Sequence, residues 1–367
     1  MHPGGIGGFA STQPRRAKGR ARVGPRPIGG CRRGRSICTP GAPWWGTAQE
    51  PCGQLRLAVC SVPRVGPVHH LLVEHPGLQA SVQDLGRVGF ASQGVAPGGA
   101  ADPLALRLGN RLVGNPEGAS GIELTLLGGT FVAEAACTVV LTGLGVPGPW
   151  QVRDLRAGER LVVGRLGPGA RAYLCVRGGI DVPPVLGSAA THLAGSFGGL
   201  GGRALRAGDR LPIGSAAAEP VRFRSFDPAQ LPDYVAGPLR LVPGAQHAWF
   251  SRTAREALVA REWHVADHSD RTGVRLRGEP LPVPNRELLT EGVPPGALQV
   301  PPDGQPIVLG VDQPTTGGYP KIATLAAVDL ARLGQLAPRV AVRFVWITAA
   351  VARHLQRQRA EVLDGLH

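Results

Sequence analysis

Glycine and proline interrupt this chain so often, at 54 and 35 of its 367 residues, that long uninterrupted elements have little room. Glycine favours turns, and proline withholds a backbone donor, so such a chain folds as many short elements joined by tight turns. The expectation is a mainly β fold rather than a helical bundle. From His70-Leu71-Leu72-Val73-Glu74 onward, short β-type runs alternate with turn signals. Clear examples are Gly129 to Val132, Thr138 to Leu141, Arg171 to Val176 and Gln305 to Leu309.

One pattern repeats. Leu155-Arg-Ala-Gly-Glu-Arg-Leu-Val-Val-Gly164 returns as Leu205-Arg-Ala-Gly-Asp-Arg-Leu-Pro-Ile-Gly214, and more weakly as Leu336-Ala-Pro-Arg-Val-Ala-Val-Arg-Phe344. Each copy reads as a turn followed by a short strand with alternating faces, which is barrel-building grammar. Few helices are expected. Asp102 to Val113 is the clearest, with Asp102 as N-cap, Pro103 at the first helical position, Leu104, Leu108 and Leu112 on one face, and Gly114 as the stop. Others are expected at Ser251 to Arg261, near Asp329, and from Thr348 to Leu363.

Charge divides the chain. The net charge is +14, but residues 1–70 hold eleven Lys/Arg and only Glu50, leaving the rest near balance. Residues 1–68 read as a disordered, basic extension or a start placed too far upstream. Their basic residues lack aromatic interleaving, so a nucleic-acid partner is not expected. No run of 18 apolar residues occurs, so no membrane span is expected. Cys31, Cys38, Cys52 and Cys60 fit no zinc spacing, and Cys137 and Cys175 sit in apolar runs as small hydrophobes. A cytoplasmic setting and no metal are the expectations.

Several segments concentrate polar chemistry. Gln83, Asp84 and Arg87 lie among glycines. Asn110 stands in the body of the first helix, where asparagine is a poor helix former, and Asn115 fits the turn after it. Arg177-Gly-Gly-Ile-Asp181 forms a tight polar turn. His264 and His268 have a spacing of four, but their flanks read as strand and loop, whereas Ser269, Asp270 and Arg271 suit an anion-facing turn. The densest segment runs from Gln299 through Gln305 to Asp312-Gln-Pro-Thr-Thr-Gly-Gly-Tyr-Pro-Lys321. The whole chain has 38 arginines and only two lysines, Lys18 and Lys321. A lysine retained in so arginine-rich a chain suggests a task guanidinium cannot do, since an ammonium can be desolvated and exchange protons. No Walker loop is present, and Gly195-Ser-Phe-Gly-Gly-Leu-Gly-Gly202 lacks the strand-to-helix context of a dinucleotide site.

Together these segments resemble the biotin-dependent carboxyltransferase family, also called allophanate hydrolase subunit 2 or urea amidolyase-related, whose bacterial members include the C-type subunit of 5-oxoprolinase. The resemblance rests on Gly77-Leu-Gln…Val-Gln-Asp-Leu-Gly-Arg87, Asn110-Arg-Leu-Val-Gly-Asn-Pro116, Arg177-Gly-Gly-Ile…Val-Leu-Gly-Ser188, Ser269-Asp-Arg-Thr-Gly273, Gln299-Val-Pro-Pro-Asp-Gly-Gln-Pro306 and Thr315-Thr-Gly-Gly-Tyr-Pro-Lys-Ile-Ala323. The chain departs from the family at Ala189, where an arginine is expected, and at Thr272 and Val274, where a methionine and an aromatic are expected.

The resemblance implies two cyclophilin-like β-barrel halves, drawn at 69–215 and 216–347, with a helical tail at 348–367. It implies a B-type partner subunit, and a separate A-type subunit that phosphorylates a lactam with ATP. The implied reaction is ATP-dependent opening of 5-oxo-L-proline to L-glutamate. Two alternatives remain: carboxyl transfer from carboxybiotin, held on another protein, to urea or a related amide, and a non-catalytic regulatory role with the B-type partner. Under the first reading Lys321 protonates the substrate or leaving nitrogen, Asn110, Asp84 and Gln305 orient the amide, and amides of Gly317 and Gly318 face a developing oxyanion. Gln83, Arg87, Thr316, Tyr319, Asp270 and Arg271 complete the expected substrate-binding set.

Overall fold

A computed structural model describes residues 69–216, 221 and 224–365. The expected extension at 1–68, with its four cysteines and Lys18, lies outside the described residues. The remainder is mainly β, with few helices.

The first half is built from two sheets. A four-stranded sheet has the order Arg160–Val162, Thr130–Ala133, His70–His75, Arg210–Pro212. A six-stranded sheet has the order Ser225–Phe226, Trp150–Leu155, Cys137–Thr142, Arg171–Val176, Gly121–Thr125, Gln79–Gln83. Alternating inward residues, among them Leu71, Val73, Phe131, Ile122, Leu124, Leu161 and Leu174, form the core. Burying each stabilises the fold by roughly 1.5–3 kcal/mol. Because Ser225–Phe226 pairs with Trp150 and Gln151, this half reaches beyond the boundary drawn at 215.

The second half is one eight-stranded sheet. Its order is Ala341–Val342, Trp263–Val265, Gly273–Arg277, Ile307–Leu309, Ala297–Gln299, Lys321–Leu325, Leu239–Pro243, Phe344–Trp346. The two outermost strands are neighbours in sequence, separated only by Arg343, whose carbonyl accepts from the Leu239 amide at 2.8 Å. One run of chain therefore lines both edges and brings the sheet close to closure, which removes exposed edges.

The repeated sequence is a repeated structure. In the first copy Gly158 N–H donates to Ala133 O at 2.7 Å and Ala133 N–H to Glu159 O at 3.0 Å. In the second, Gly208 N–H donates to Val73 O at 2.8 Å and Val73 N–H to Asp209 O at 2.8 Å. Their strands form the two edges of the four-stranded sheet. The third copy repeats the pattern in the other half: Arg339 N–H donates to Val265 O at 2.8 Å and Val265 N–H to Val340 O at 3.0 Å. The glycines have φ of 81° and 89°, and Arg339, in their place, has φ of 69°.

All four expected helices form. The first spans Pro103–Leu112, and Asp102 Oδ1 accepts from Ala105 N at 3.0 Å as its cap. It lies tightly on the strand Arg171–Val176: a Cβ on Gly109 would fall 2.7 Å from Cys175 Sγ. Cys175 is thus packing material, and burial raises its thiol pKa. Cys137 is only half-buried, with its thiol pushed up to about 11 by burial and Glu159. The other helices are Arg252–Ala260, a turn at Ala327–Asp329 continuing as Leu330–Gly334, and Ala349–Asp364 capped by Thr348. No helix among the described residues is long and apolar enough to cross a membrane.

A buried polar network joins the halves. Glu123, 2 % exposed, takes Arg271 Nη1 at 2.6 Å, Tyr173 Oη at 2.8 Å and Ala101 N at 2.9 Å, with Arg171 Nε 3.3 Å away. Burial pushes the Glu123 carboxyl up, but Arg271 and Arg171 outweigh it and hold its pKa below the ordinary range. Beside it, fully buried Asp102 accepts from Tyr234 Oη at 2.5 Å and Gln335 Nε2 at 2.6 Å.

Candidate functional site

Lys321 opens the strand Lys321–Leu325, in the middle of the second sheet, and only 3 % of it is exposed. Its Nζ lies 2.6 Å from Glu291 Oε1. Beyond this ion pair the ammonium, with three N–H bonds to fill, has no hydrogen-bond partner among the described residues. Gln246, buried, locks the pair: its Oε1 accepts from the Lys321 amide at 3.1 Å and its Nε2 donates to Glu291 Oε1 at 2.9 Å. Lys321 and then Gln246 hold the Glu291 carboxyl below its usual pKa. Glu291 is 41 % exposed, so the buried ammonium meets solvent-facing chemistry through it.

The antiparallel ladder supplies a further member. Gln299 stands opposite Lys321, where the register shifts between Leu298 and Gln299. Directly opposed residues place their side chains on the same face. Gln299 is 5 % exposed and its Nε2 has no partner. Thr316–Gly317 pairs with Glu291–Gly292, placing Gly317 opposite Glu291. Gly318 follows, and Tyr319 is 45 % exposed. The structure thus gathers Lys321, Thr316, Gly317, Gly318 and Tyr319 with three residues the sequence reading did not select: Glu291, Gln246 and Gln299. Glu291 and Gln246 are 30 and 75 positions from Lys321 in the chain. No local spacing could have announced them; Gln299 lay inside a noted motif and could have been found there.

The expected first-half residues form a second cluster. Asp84 accepts from Gly86 N and Ser188 Oγ, each at 2.7 Å, and from Ala189 N at 2.6 Å. It holds the turn at 185–190 by these contacts, with alanine where an arginine was expected. Arg87 donates to Ala190 O and lies 4.8 Å over the Phe197 ring, while its Nη1 has no partner. Gln83 donates to Ser81 Oγ at 3.0 Å and Thr191 O at 3.1 Å. Arg271 reaches across from the second half, with Nη2 3.5 Å from Gln83 Oε1 and Nε 2.7 Å from Asp312 Oδ2. The segment 312–321 therefore bears on both clusters, Asp312 at one end and Lys321 at the other.

Three of the expected residues already make structural hydrogen bonds. Asn110 is held locally: its Nδ2 donates to Glu117 O at 3.1 Å and Ala119 O at 2.6 Å, and its Oδ1 accepts from Asn115 Nδ2 at 3.1 Å. A buried amide must fill its bonds, and the turn after the helix fills these. Gln305 makes a two-point pair with the backbone of Gly278, at 3.0 Å each way, and so braces a neighbouring strand end. The Asp270 carboxylate accepts from Thr272 N and Gly273 N and so shapes its own turn. Among the described residues no group of three or more His, Cys, Asp and Glu could hold a metal ion.

Comparison with known proteins agrees with this architecture. The family model described as carboxyltransferase domain, subdomain A and B, matches residues 93–346. The chain is 40 % identical over 306 residues to the C-type subunit of 5-oxoprolinase from Escherichia coli (strain K12), covering 81 % of this chain and 97 % of that protein. The crystal structure of TTHA0988 superposes with a TM-score of 0.68 at 39 % identity, over 77 % of this chain and 57 % of that one. The crystal structure of the K. lactis urea amidolyase gives a TM-score of 0.72 at 29 % identity, over 82 % of this chain but only 20 % of that one. With its two β halves, and with a family match running through most of its described length, this chain belongs to the carboxyltransferase domain, subdomain A and B, family.

Proposed function

We propose that this chain is the C-type subunit of a cytoplasmic, ATP-dependent 5-oxoprolinase that opens 5-oxo-L-proline to L-glutamate. The observation that carries this reading is the end-to-end likeness to the Escherichia coli 5-oxoprolinase subunit, 97 % of whose length the chain covers. The partners would be a B-type subunit and an A-type subunit.

The reaction breaks the ring C–N bond; water supplies the oxygen of the new carboxylate, and the departing nitrogen gains a proton. The buried Lys321 ammonium beside Glu291 suits delivery of that proton. Neither glycine run forms a phosphate cradle. Thr316–Gly317 forms a two-stranded pairing with Glu291–Gly292, not a strand-loop-helix cradle, and the Gly195 to Gly202 run folds as a turn bridged between His192 and Phe197. No step through ATP is therefore assigned to this chain, and lactam phosphorylation would fall to the A-type subunit. The second reading, carboxyl transfer from carboxybiotin on another protein to urea or a related amide, is favoured by the likeness to part of the urea amidolyase.

The test is reconstitution. The chain with its B-type and A-type partners should release glutamate from 5-oxo-L-proline only when ATP is present. Transfer from a carboxybiotin carrier to urea, without glutamate release, would favour the second reading instead.

A further inference from the structure

Two buried donors with unfilled hydrogen bonds stand together in this molecule. Gln299 and Lys321 are opposed across adjacent strands; Gln299 Nε2 has no acceptor, and Lys321 Nζ has only the Glu291 carboxylate, 2.6 Å away. An unfilled buried donor typically costs about 1–3 kcal/mol, so two side by side suggest that an acceptor belongs between them. Next to them is an acceptor of opposite kind, the Glu291 carboxylate, still 41 % exposed.

Gly317 bounds the Gln299 amide closely. It lies in a strand and is not among the positive-φ glycines, so its backbone does not require glycine. A Cβ at this position would fall 2.7 Å from Gln299 Nε2. The absence of a side chain lets this strand lie close against that amide without displacing it.

We propose that Gln299 Nε2 and Lys321 Nζ together receive the carbonyl oxygen of an amide, while Glu291 accepts the N–H of the same amide, making Gln299 a specificity-determining residue. The ligand class is a compact cis-amide, such as a lactam or urea, which presents a carbonyl acceptor and an N–H donor along one edge. The choice of 5-oxoproline within that class rests on the function proposed above. Gln246 acts at one remove, fixing Glu291 against the strand that carries Lys321.

The experiment is calorimetric titration of the full chain, in complex with its B-type partner, against 5-oxo-L-proline, urea and L-proline, which lacks the ring carbonyl. Wild type is compared with Gln299→Leu and Gly317→Ala, and unchanged thermal melts establish that both variants fold. The expected result is amide binding weakened about ten-fold or more in each variant, one lost hydrogen bond being about that factor, with L-proline binding weak and indifferent to the substitutions. Equal amide affinity in wild type and a folded Gln299→Leu variant overturns the proposal, as does failure of the folded wild-type complex to bind any amide. Binding of urea but not 5-oxoproline, with the same dependence on Gln299, supports the site and overturns the 5-oxoprolinase reading alone.

Discussion

Glu123 of the first half and Arg271 of the second meet at 2.6 Å with almost no solvent contact, side chains 1 % and 7 % exposed. Removing one partner would strand a buried charge, which typically costs about 3–5 kcal/mol. Glu123→Ala and Arg271→Ala should each lower stability by about that much in urea denaturation. The double variant Glu123→Leu/Arg271→Met should lose less than the sum of the two, because no unpaired charge remains from that pair. Full additivity would show that the residues act independently.

Lys321 offers the sharpest catalytic prediction. Lys321→Ala should reduce glutamate formation by the reconstituted complex at least about a hundred-fold, the lower end of general acid–base effects. Lys321→Arg should not rescue it, because guanidinium does not release a proton at neutral pH. Circular dichroism should show the fold retained, and near-wild-type turnover by Lys321→Ala would remove the lysine from the mechanism.

Asp102 should leave a mark on the pH dependence of stability. Burial is the largest influence and pushes its pKa from 3.8 to about 6, against hydrogen bonds from Tyr234, Ala105, Gln335 and the helix backbone. A carboxyl raised in the folded state contributes stability that is fully present below its unfolded pKa and is lost as pH rises through the folded value. The loss between about pH 4 and pH 7 is on the order of 3 kcal/mol. Glu123, held low, works in the opposite direction and matters only as pH falls below the ordinary carboxylate range. Urea unfolding across this window should therefore show a flatter pH slope for Asp102→Asn than for wild type, whatever its absolute stability.

Arg339 holds a left-handed conformation, φ 69°, that its two sequence echoes give to glycine. The strain in such a residue is about 1–2 kcal/mol, and its exposed ion pair with Asp267 returns little. Arg339→Gly should therefore be neutral or slightly stabilising in a thermal melt, and Arg339→Val clearly destabilising. A Gly variant that melts well below wild type would show that the contact with Asp267 matters more than the backbone.

Local chemistry determined much of this protein in sequence. The cap at Asp102 marked its helix in sequence, because capping involves residues only three apart, and Ser251 and Thr348 cap the helices expected to begin there. The turn through Gly158 and Gly208 was legible for the same reason, and the scarcity of lysine singled out Lys321. What sequence could not supply was partnership over distance. Even the local partners of Asn110, five to nine residues on at Asn115, Glu117 and Ala119, were hidden, because a turn folding back onto an amide leaves no spacing signature. Glu291, Gln246 and Gln299 become neighbours of Lys321 only when strands from separate parts of the chain lie side by side. Near-closure of the second sheet by the run Ala341 to Trp346, and the crossing of Arg271 to Glu123, were likewise tertiary decisions. Register and burial depend on the whole sheet at once, so the Gln299 donor beside the Lys321–Glu291 pair could be seen as unfilled only after every other partner had taken its place.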